Sequence, residues 1–300
     1  MSFYRFSGLL GFIYIFVGVL SGCGISNTKS DGAEALEQDF DGQRLQTVLQ
    51  AQPPEHQARY RFRRPQQTLE FFDIAPGETV FEVLPGGGWY SQILAPYLGN
   101  KGKLIGVDYE LAMFPNFSWV NEEFMQKRSA WHTEWQQKVQ TWGGLDGAAA
   151  QSYNFDTVPS ALDGQVDTVL FIRGLHNLAR FEHKGGYLTR ALQVTKRVLK
   201  PGGKIGIVQH QAREDKSDTW ADGSKGYLKK SKVIAMMEAQ GFRFVGEKAF
   251  NENPLDQPGE NDIVWRLPPS LSMHGDDEAL KRRYQAIGES HRMTLLFEKP

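Results

Sequence analysis

A short glycine-rich segment has the residues and spacing expected of a cofactor-binding turn. Residues 79–84 form an apolar run interrupted by one acid, Glu82, and the run leads through Pro85 into three glycines at 86–88. Helical spacing of apolar residues begins directly after them. This order predicts a strand, a turn and a helix N-terminus, where free backbone amides can contact a ligand. Glycine suits the turn because a side chain would hold the backbone away from that ligand.

An acid at the end of the next predicted strand extends the pattern. Asp108 lies 20 residues after Gly88 and directly follows the apolar run 103–107. A carboxylate in this place can accept hydrogen bonds from both hydroxyls of a ribose. The turn, the helix and the acid at this interval predict a nucleoside-bearing cofactor, and a purely structural tight turn is the alternative.

Two classes of cofactor suit this geometry, the dinucleotides and S-adenosylmethionine. A dinucleotide turn has glycine or alanine at the sixth position of its G-x-G-x-x-G pattern, whereas Ser91 occupies that position here, after two bulky aromatic residues. The turn therefore disfavours a dinucleotide. An NAD-linked oxidoreductase stays open as an alternative.

Two histidines follow predicted strands and are the candidate catalytic residues. His176 comes shortly after the apolar run 166–172, and His210 comes shortly after the run 204–208. Open parallel sheets bind ligands at the carboxyl ends of their strands, and histidine can act as a base near neutral pH. The alternative for each is a histidine that only caps a loop.

Two further residues are candidates for contact with a substrate. Tyr227 follows a glycine, and Arg292 lies close to Glu289 in the sequence, so both could close over an acceptor. The alternative for Tyr227 is core packing, and the alternative for Arg292 is a surface ion pair.

Composition excludes several other kinds of function. The 34 basic and 35 acidic side chains nearly cancel, which disfavours nucleic acid as a partner. The basic cluster around residues 59–64 is interpreted as a solvated face. Cys23 is the single cysteine, so cysteine catalysis and thiolate metal clusters are excluded. Neither a metal-ligand pair at helical spacing nor a serine nucleophile elbow is present, and we predict no metal.

Strand and helix patterns alternate along the chain from residue 79 onward. The predicted strands are 79–84, 103–107, 152–155, 166–172, 204–208, 242–245 and 293–297, and the predicted helical stretches are 89–98, 119–142, 186–199 and 229–240. Such alternation predicts a single α/β domain with helices on both faces of a mostly parallel sheet.

The glycine-rich segment resembles motif I of class I S-adenosylmethionine-dependent methyltransferases, in which an acid is followed by glycines at alternating positions. Glu82, Gly86 and Gly88 match, and Leu84 stands where a further glycine is usual. The segment Leu-Lys-Pro-Gly-Gly at 199–203 is another mark of this fold. The resemblance implies a Rossmann-like, seven-stranded and mostly parallel sheet with an antiparallel last strand. It places the cofactor, S-adenosyl-L-methionine, against the following residues: Glu82, Pro85, Gly86, Gly87, Gly88, Asp108 and Asp156, the last at the position that often contacts adenine.

More narrowly, residues 60–300 are similar to a family of exported bacterial proteins known as predicted methyltransferases. The matching segments are 85–90 with 93–98, 174–177, 265–269 and 287–293. Gln209 and His291 depart from the family, whose members usually have aspartate at these two positions. The resemblance implies methyl transfer to an acceptor that the sequence does not identify.

The first residues predict export and lipid anchoring. Arg5 precedes an apolar run, 9–20, that is too short to cross a bilayer comfortably, and the run ends in a segment at 20–23 that resembles the bacterial lipobox. We predict that Cys23 is lipidated, which would anchor the protein to the periplasmic side of the cell envelope. Gly24 rather than aspartate follows it, which favours the outer membrane. The alternative is an ordinary signal peptide or a short anchor.

Together these patterns predict a signal peptide at 1–22, a polar tether at 23–45 and one methyltransferase-like domain at 46–300. The predicted function is S-adenosylmethionine-dependent methylation of a small-molecule acceptor. The alternatives are a lipoprotein of the same fold that binds a ligand without catalysis and, less favoured, an NAD-dependent oxidoreductase.

Overall fold

The computed structural model describes residues 39–300. The predicted signal peptide, the predicted lipidation site Cys23 and residues 24–38 of the predicted tether lie outside the described residues.

A central sheet organises the described part of the chain. Its strands are β1 Thr79–Val83, β2 Lys103–Asp108, β3 Ala149–Asn154, β4 Val166–Ile172, β5 Leu199–Ala212, β6 Leu228–Lys229, β7 Arg243–Lys248 and β8 Arg292–Glu298. The strand order is β3-β2-β1-β4-β5-β8-β7, and β6 pairs with β5 beside this path. The two-residue strand β6 is an eighth strand, one more than the seven predicted, and its brevity explains why no periodicity marks it.

The direction of the strands agrees with the predicted mostly parallel sheet. The strands β1 to β5 pair in parallel, whereas β8 pairs antiparallel with both β5 and β7. An antiparallel last strand was expected from the resemblance, and the pairing confirms it. The strand order reverses between β1 and β4, which creates the switch point where sheets of this kind open a crevice at their carboxyl edge.

Helices cover both faces of the sheet. They are α1 Gly42–Gln50, α2 Pro54–Gln57, α3 Tyr60–Arg63, α4 Pro65–Phe71, α5 Ser91–Leu98, α6 Glu122–Ser129, α7 Trp131–Gly143, α8 Leu175–Arg180, α9 Glu182–Gly185, α10 Tyr187–Val198, α11 Lys230–Ala239 and α12 Glu278–Ile287. Short 3-10 turns lie at Leu111–Asn116, Gly144–Asp146, Phe155–Thr157, Ser160–Leu162 and Val264–Arg266.

The core consists of two apolar layers, one on each face of the sheet. Alternate residues of a strand point to opposite faces, so Val80 belongs to one layer and Phe81 to the other. One layer packs against α8, α10 and α11, and the other packs against α1, α4, α5 and α7. The strands are therefore buried on both sides, which accounts for their nearly uninterrupted apolar sequences.

The helix α1 begins inside the segment that the sequence assigned to the tether. Asp41 caps it, the backbone amide of Asp41 donates a hydrogen bond to the Tyr97 hydroxyl, and Leu45 is fully buried. Arg44 donates hydrogen bonds to the backbone oxygens of Pro96 and Tyr97 in α5. Residues 41–45 thus belong to the folded domain, because α1 covers the end of α5.

Candidate functional site

A cavity of about 720 Å³ opens at the carboxyl ends of the parallel strands, beside the switch point between β1 and β4. Seven of the residues predicted to act in catalysis or cofactor binding line it: Glu82, Pro85, Gly86, Gly87, Asp108, His176 and His210. The structure therefore brings together, in one cavity, residues that are up to 128 positions apart in the sequence.

The turn after β1 has the open backbone that a ligand requires. Gly86 has a φ of +59°, and a methyl group added to Gly87 would meet nothing within 4 Å. Leu84, where the resembling motif usually has glycine, has a φ of +53°, in the left-handed region that favours glycine. Leu84 thus holds a backbone conformation that a glycine would adopt without strain.

Gly88 has a different role from its two neighbours. It does not line the cavity. A methyl group added to it would lie 2.3 Å from a ring carbon of Trp142, and its φ is +81°. Gly88 is therefore required by the packing of Trp142 under the turn, and the prediction that it contacts the cofactor is not supported by its position.

Glu82 is held at the back of the cavity by the first turn of α5. Its Oε2 atom accepts a hydrogen bond of 2.6 Å from the Ser91 hydroxyl, which in turn accepts one of 3.2 Å from the Trp135 indole. Burial raises the pKa of Glu82 to about 7, and the bonds from Ser91 oppose that rise. Ser91, which departs from the dinucleotide pattern, thus serves as the partner of this buried acid.

Asp108 lies at the end of β2 with only 2% of its surface exposed. Arg128 of α6 forms an ion pair with its Oδ2 atom and packs over the Trp131 ring at 4.6 Å. Burial raises the pKa of Asp108, and the charge of Arg128 opposes the rise. A ribose bound here would share this carboxylate with Arg128, and aromatic side chains line the adjacent wall: Tyr109, Phe114, Trp119 and Phe124.

His176, at the start of α8, has a defined hydrogen-bonding partner. Its Nδ1 atom lies 3.3 Å from the Oε1 atom of Gln209. The amide nitrogen of Gln209 donates to the backbone oxygen of Gly226 at 3.0 Å, which fixes the orientation of the amide. Nδ1 of His176 must therefore carry the proton, and its Nε2 atom retains a free lone pair.

Burial keeps His176 neutral. Burial and the nearby charges of Arg173 and Arg180 lower the pKa of His176 to about 4. The hydrogen bond to Gln209 only partly offsets this lowering. A neutral imidazole with a free Nε2 is the form that can accept a proton at pH 7.

His210, near the end of β5, is the second histidine of the cavity. Its ring centroid lies 5.5 Å from that of His176, and its Nδ1 atom lies 2.5 Å from the Ser290 hydroxyl. Burial, reinforced by His176 and Arg173, lowers its pKa well below the ordinary value. Both histidines are thus neutral and lie side by side at the carboxyl edge of the sheet.

Besides Gly88, three predicted site residues lie outside the cavity, and Asp156 is the first of them. It is exposed in the 3-10 turn after β3, because Asn154 takes the inward position at the strand end. There the Asn154 amide donates to the backbone oxygen of Tyr109, and its Oδ1 atom lies 2.9 Å from His132. The position of Asp156 outside the cavity therefore does not support its predicted contact with adenine.

The two predicted substrate residues, Tyr227 and Arg292, are structural. The Tyr227 ring is fully buried, its hydroxyl bonds to Asp256 and Arg266, and it stacks on Trp220 with centroids 5.5 Å apart. Arg292 is 3% exposed and donates to Glu289 and to the backbone oxygen of Phe62. Neither lines the cavity, because each is consumed by buried polar contacts.

Sequence reasoning missed four arginines that line the cavity: Arg59, Arg63, Arg128 and Arg173. The basic cluster at 59–64 was interpreted as a solvated face, yet Arg63 is only 3% exposed, because it pairs with Glu289. The spacing of Arg59 and Arg63 on consecutive turns was a usable signal. Arg173 directly follows the apolar run of β4, so its position at the carboxyl edge was also readable.

Residues 39–300 contain neither a metal-ligand cluster nor a membrane-spanning helix. No three ligand-type side chains lie close enough to hold a metal ion there. No helix in that part of the chain is long and apolar enough to cross a membrane.

Comparisons with known proteins give structural neighbours only. No family model matches the chain, and no curated protein matches it. A S-adenosylmethionine-dependent methyltransferase from Aquifex aeolicus is 17% identical with a TM-score of 0.48, covering 87% of this chain and 100% of that one.

Two other solved structures are similar to a comparable degree. An arsenic(III) S-adenosylmethionine methyltransferase from Chlamydomonas reinhardtii is 15% identical with a TM-score of 0.41, covering 85% of this chain and 72% of that one. The [4+2]-cyclase SpnF is 16% identical with a TM-score of 0.47, and the match covers 79% of this chain and 80% of that one. These similarities concern the fold alone.

Proposed function

We propose that this protein transfers a methyl group from S-adenosylmethionine to a small-molecule acceptor. One observation carries the proposal: the open turn at Gly86 and Gly87, the ribose-type acid Asp108 and the proton-accepting His176 all line a single cavity. The turn and the acid suit a nucleoside, and the histidine lies where an acceptor would meet it.

The turn and Asp108 fit the amino-acid end and the ribose of the cofactor. Backbone amides near Gly86 and Gly87 would hold its amino-acid end, Asp108 would accept bonds from the ribose, and the aromatic wall would cover the adenine. When bound, S-adenosylmethionine supplies an electrophilic methyl group on a sulfonium. The protein contributes alignment of the acceptor and exclusion of water, which lower the barrier of such a displacement.

His176 would remove the proton that the acceptor loses. Its Nε2 lone pair is free because Nδ1 faces the Gln209 oxygen, and burial keeps the ring neutral at pH 7. The Nε2 atom of His176 would accept the proton that the acceptor loses as it is methylated, which would leave the imidazole protonated. His210 lies beside it and is the alternative base.

Isothermal titration calorimetry with S-adenosylmethionine and with its demethylated product tests the proposal. We expect binding by the wild type and a loss of about 1.5–3 kcal/mol in Asp108→Ala, because a charge-assisted bond to the ribose is removed. Asp156→Ala is the matched control, since this acid is exposed and outside the cavity.

Other outcomes would contradict the proposal in different ways. Binding of NAD without any response to S-adenosylmethionine would indicate an oxidoreductase. An equal loss of affinity in Asp108→Ala and Asp156→Ala would indicate that Asp108 does not contact the cofactor. Cofactor binding without turnover on any acceptor would favour a non-catalytic binding module.

A further inference from the structure

Four arginines surround a single buried glutamate at one end of the cavity. Arg59 donates through Nε to Oε1 of Glu289 at 2.8 Å, and Arg63 donates through Nε to the same oxygen at 3.1 Å. Arg292 donates through Nη1 to Oε2 at 3.2 Å. Arg173 lies close enough for its charge to lower the pKa of Glu289 along with the other three.

Among residues 39–300, no acid other than Glu289 pairs with this cluster, so its positive charge is not neutralised there. Four guanidinium groups share one carboxylate, which is 3% exposed and therefore screened little by water. Burial and neighbouring arginines lower the pKa of Arg63 to about 9 and that of Arg173 to about 10, so both stay charged at neutral pH. The cluster carries three positive charges in excess.

The other acids near the cavity cannot supply the missing negative charge. Asp108 is already paired with Arg128. Asp256 is paired with Arg266 in the buried network of Tyr227. Glu82 has a pKa of about 7 and hydrogen-bonds to Ser91, so it is not fully ionised at neutral pH.

Arg173 has donors that no protein group uses. Within residues 39–300 its guanidinium forms no hydrogen bond and no ion pair, and its Nε atom is buried without a partner. Nη1 of Arg63 is likewise buried without a partner. Buried donors normally find acceptors, so orphan donors in a cavity wall indicate a ligand that supplies them.

The position of the surplus charge indicates the acceptor rather than the ribose or the adenine. Arg173 directly follows β4 and is three residues before His176, whereas Asp108 and the aromatic wall belong to β2 and the segments after it. S-adenosylmethionine carries a sulfonium, an ammonium and one carboxylate, so its net charge is positive. Binding of S-adenosylmethionine would therefore increase the excess positive charge that the acceptor must offset.

We propose that Arg173, with Arg63 and Arg59, binds the anionic group of the acceptor, and that the substrate is a carboxylate or a phosphate ester. Guanidinium groups suit both because their planar donors bind two oxygens at once. The link to methyl transfer depends on the proposed function, but the anion site does not.

Calorimetric titration of the protein with inorganic phosphate and with succinate, in a low-chloride buffer, tests the site. We expect the wild type to bind at least one of them, and Arg173→Gln to weaken that binding by about tenfold or more, because a charge-assisted contact is lost. Arg61→Gln is the matched control, since Arg61 is exposed on the same helix as Arg63 and lies outside the cavity. Preference for phosphate or for succinate distinguishes the two kinds of acceptor.

Folding of each variant is checked by circular dichroism. The Arg173 side chain forms no hydrogen bond within residues 39–300, and its backbone bond to Val208 does not depend on the side chain, so its replacement should be tolerated. Arg173→Lys provides a second test, because it keeps the charge but loses the planar pair of donors. We expect its affinity to lie between that of the wild type and that of the glutamine variant.

The titrations are repeated with S-adenosylmethionine present, which separates the two proposals. Simultaneous binding of anion and cofactor supports the acceptor site. Mutually exclusive binding would overturn it, because the arginines would then hold the carboxylate of the cofactor itself. No binding of either anion, or equal loss in Arg173→Gln and Arg61→Gln, would also overturn it. Anion binding without any binding of the cofactor would support the anion site and refute methyl transfer.

Discussion

At the scale of single residues, the sequence located those groups whose place follows from local pattern. Glu82 and Asp108 lie near the ends of apolar strands, and His176 follows another strand. Since open parallel sheets bind ligands at the carboxyl ends of their strands, this pattern alone placed all three in the cavity. Arg63 could not be found in this way. Its burial depends on Glu289, 226 residues further along the chain, and no local pattern encodes that contact.

Glu82 predicts a specific dependence of stability on pH. Burial raises its pKa in the folded protein from the ordinary 4.5 to about 7, so the folded state binds more protons than the unfolded state between these pH values. The contribution of Glu82 is most favourable below pH 4.5 and is lost as the pH rises through about 7. Between pH 5 and 8 we expect the free energy of unfolding of wild type to fall by about 2–3 kcal/mol relative to that of Glu82→Gln.

Urea denaturation of both proteins at pH 5 and 8 measures this difference. Glu78, whose pKa burial also raises, and His176, whose pKa burial lowers, contribute to both proteins and cancel in the comparison. Glu70→Gln, on the exposed side of α4, is the control. An identical pH dependence in the wild type and Glu82→Gln would contradict the assignment.

His176 predicts a separation of turnover from cofactor binding. If its Nε2 atom accepts the acceptor proton, His176→Ala should lower kcat by about 10²–10⁴-fold and leave the affinity for S-adenosylmethionine nearly unchanged. Carboxylates and phosphate esters are the first acceptors to screen. His183→Ala, an exposed histidine on α9, is the control. Full activity of His176→Ala would transfer the role to His210, whereas a joint loss of stability and cofactor binding would indicate a structural histidine.

At the scale of elements, the strongly periodic segments were predictable and the polar helices before β1 were not. The strand β4 has the predicted bounds, and α10 and α11 differ from prediction by one residue at each end. By contrast α1 to α4 are short and rich in glutamine and arginine, so they lack a broad apolar stripe. They fold because α1 and α4 bury a few apolar residues against α5, a tertiary effect.

The turn between β1 and α5 predicts opposite consequences for two neighbouring glycines. Gly88→Ala places a methyl group 2.3 Å from the Trp142 ring at a φ of +81°, and we expect it to lower the free energy of unfolding by about 2–4 kcal/mol. Gly87→Ala meets open space in the cavity wall, so stability should change by less than about 0.5 kcal/mol. The affinity of Gly87→Ala for S-adenosylmethionine should nevertheless fall.

Urea denaturation and calorimetry on the same two variants decide between the roles. If Gly87→Ala bound the cofactor as tightly as the wild type, the turn would not contact it. If Gly88→Ala were as stable as the wild type, Trp142 would have room to move.

At the scale of the whole molecule, alternation of strands and helices determined the architecture and the place of the cavity. The reversal of strand order between β1 and β4 opens the crevice. The strand β8 runs antiparallel to β5 and begins at the same end of the sheet, which places Glu289 and Ser290 beside the crevice. The position of Arg173 was readable, but the net charge of the cavity was not. That charge arises from three segments distant in sequence that the fold assembles: α3 with its N-cap, the end of β4, and residues 289–292 at the start of β8.

The compartment in which this domain works depends on residues outside the described part of the chain. We predict that Cys23 is the mature N-terminus and carries lipid, because a short apolar run ends there in a lipobox-like segment. Several acyl chains on one residue would hold the protein on a membrane, since each buried methylene contributes about 0.8 kcal/mol. Cys23→Ser should move the protein from the membrane fraction to the soluble fraction, whereas Ser26→Ala should not.

Mass spectrometry of the wild type and density fractionation of the membranes complete this test. A diacylglycerol on Cys23 and recovery with the outer membrane are the expected results, the latter because Gly24 rather than aspartate follows the cysteine. An intact Met1, or an unlipidated cut elsewhere, would contradict the prediction. The result also bears on methyl transfer, because S-adenosylmethionine is made in the cytoplasm. A lipidated, exported domain would need its cofactor delivered, whereas a protein that keeps Met1 in the cytoplasm would have the cofactor at hand.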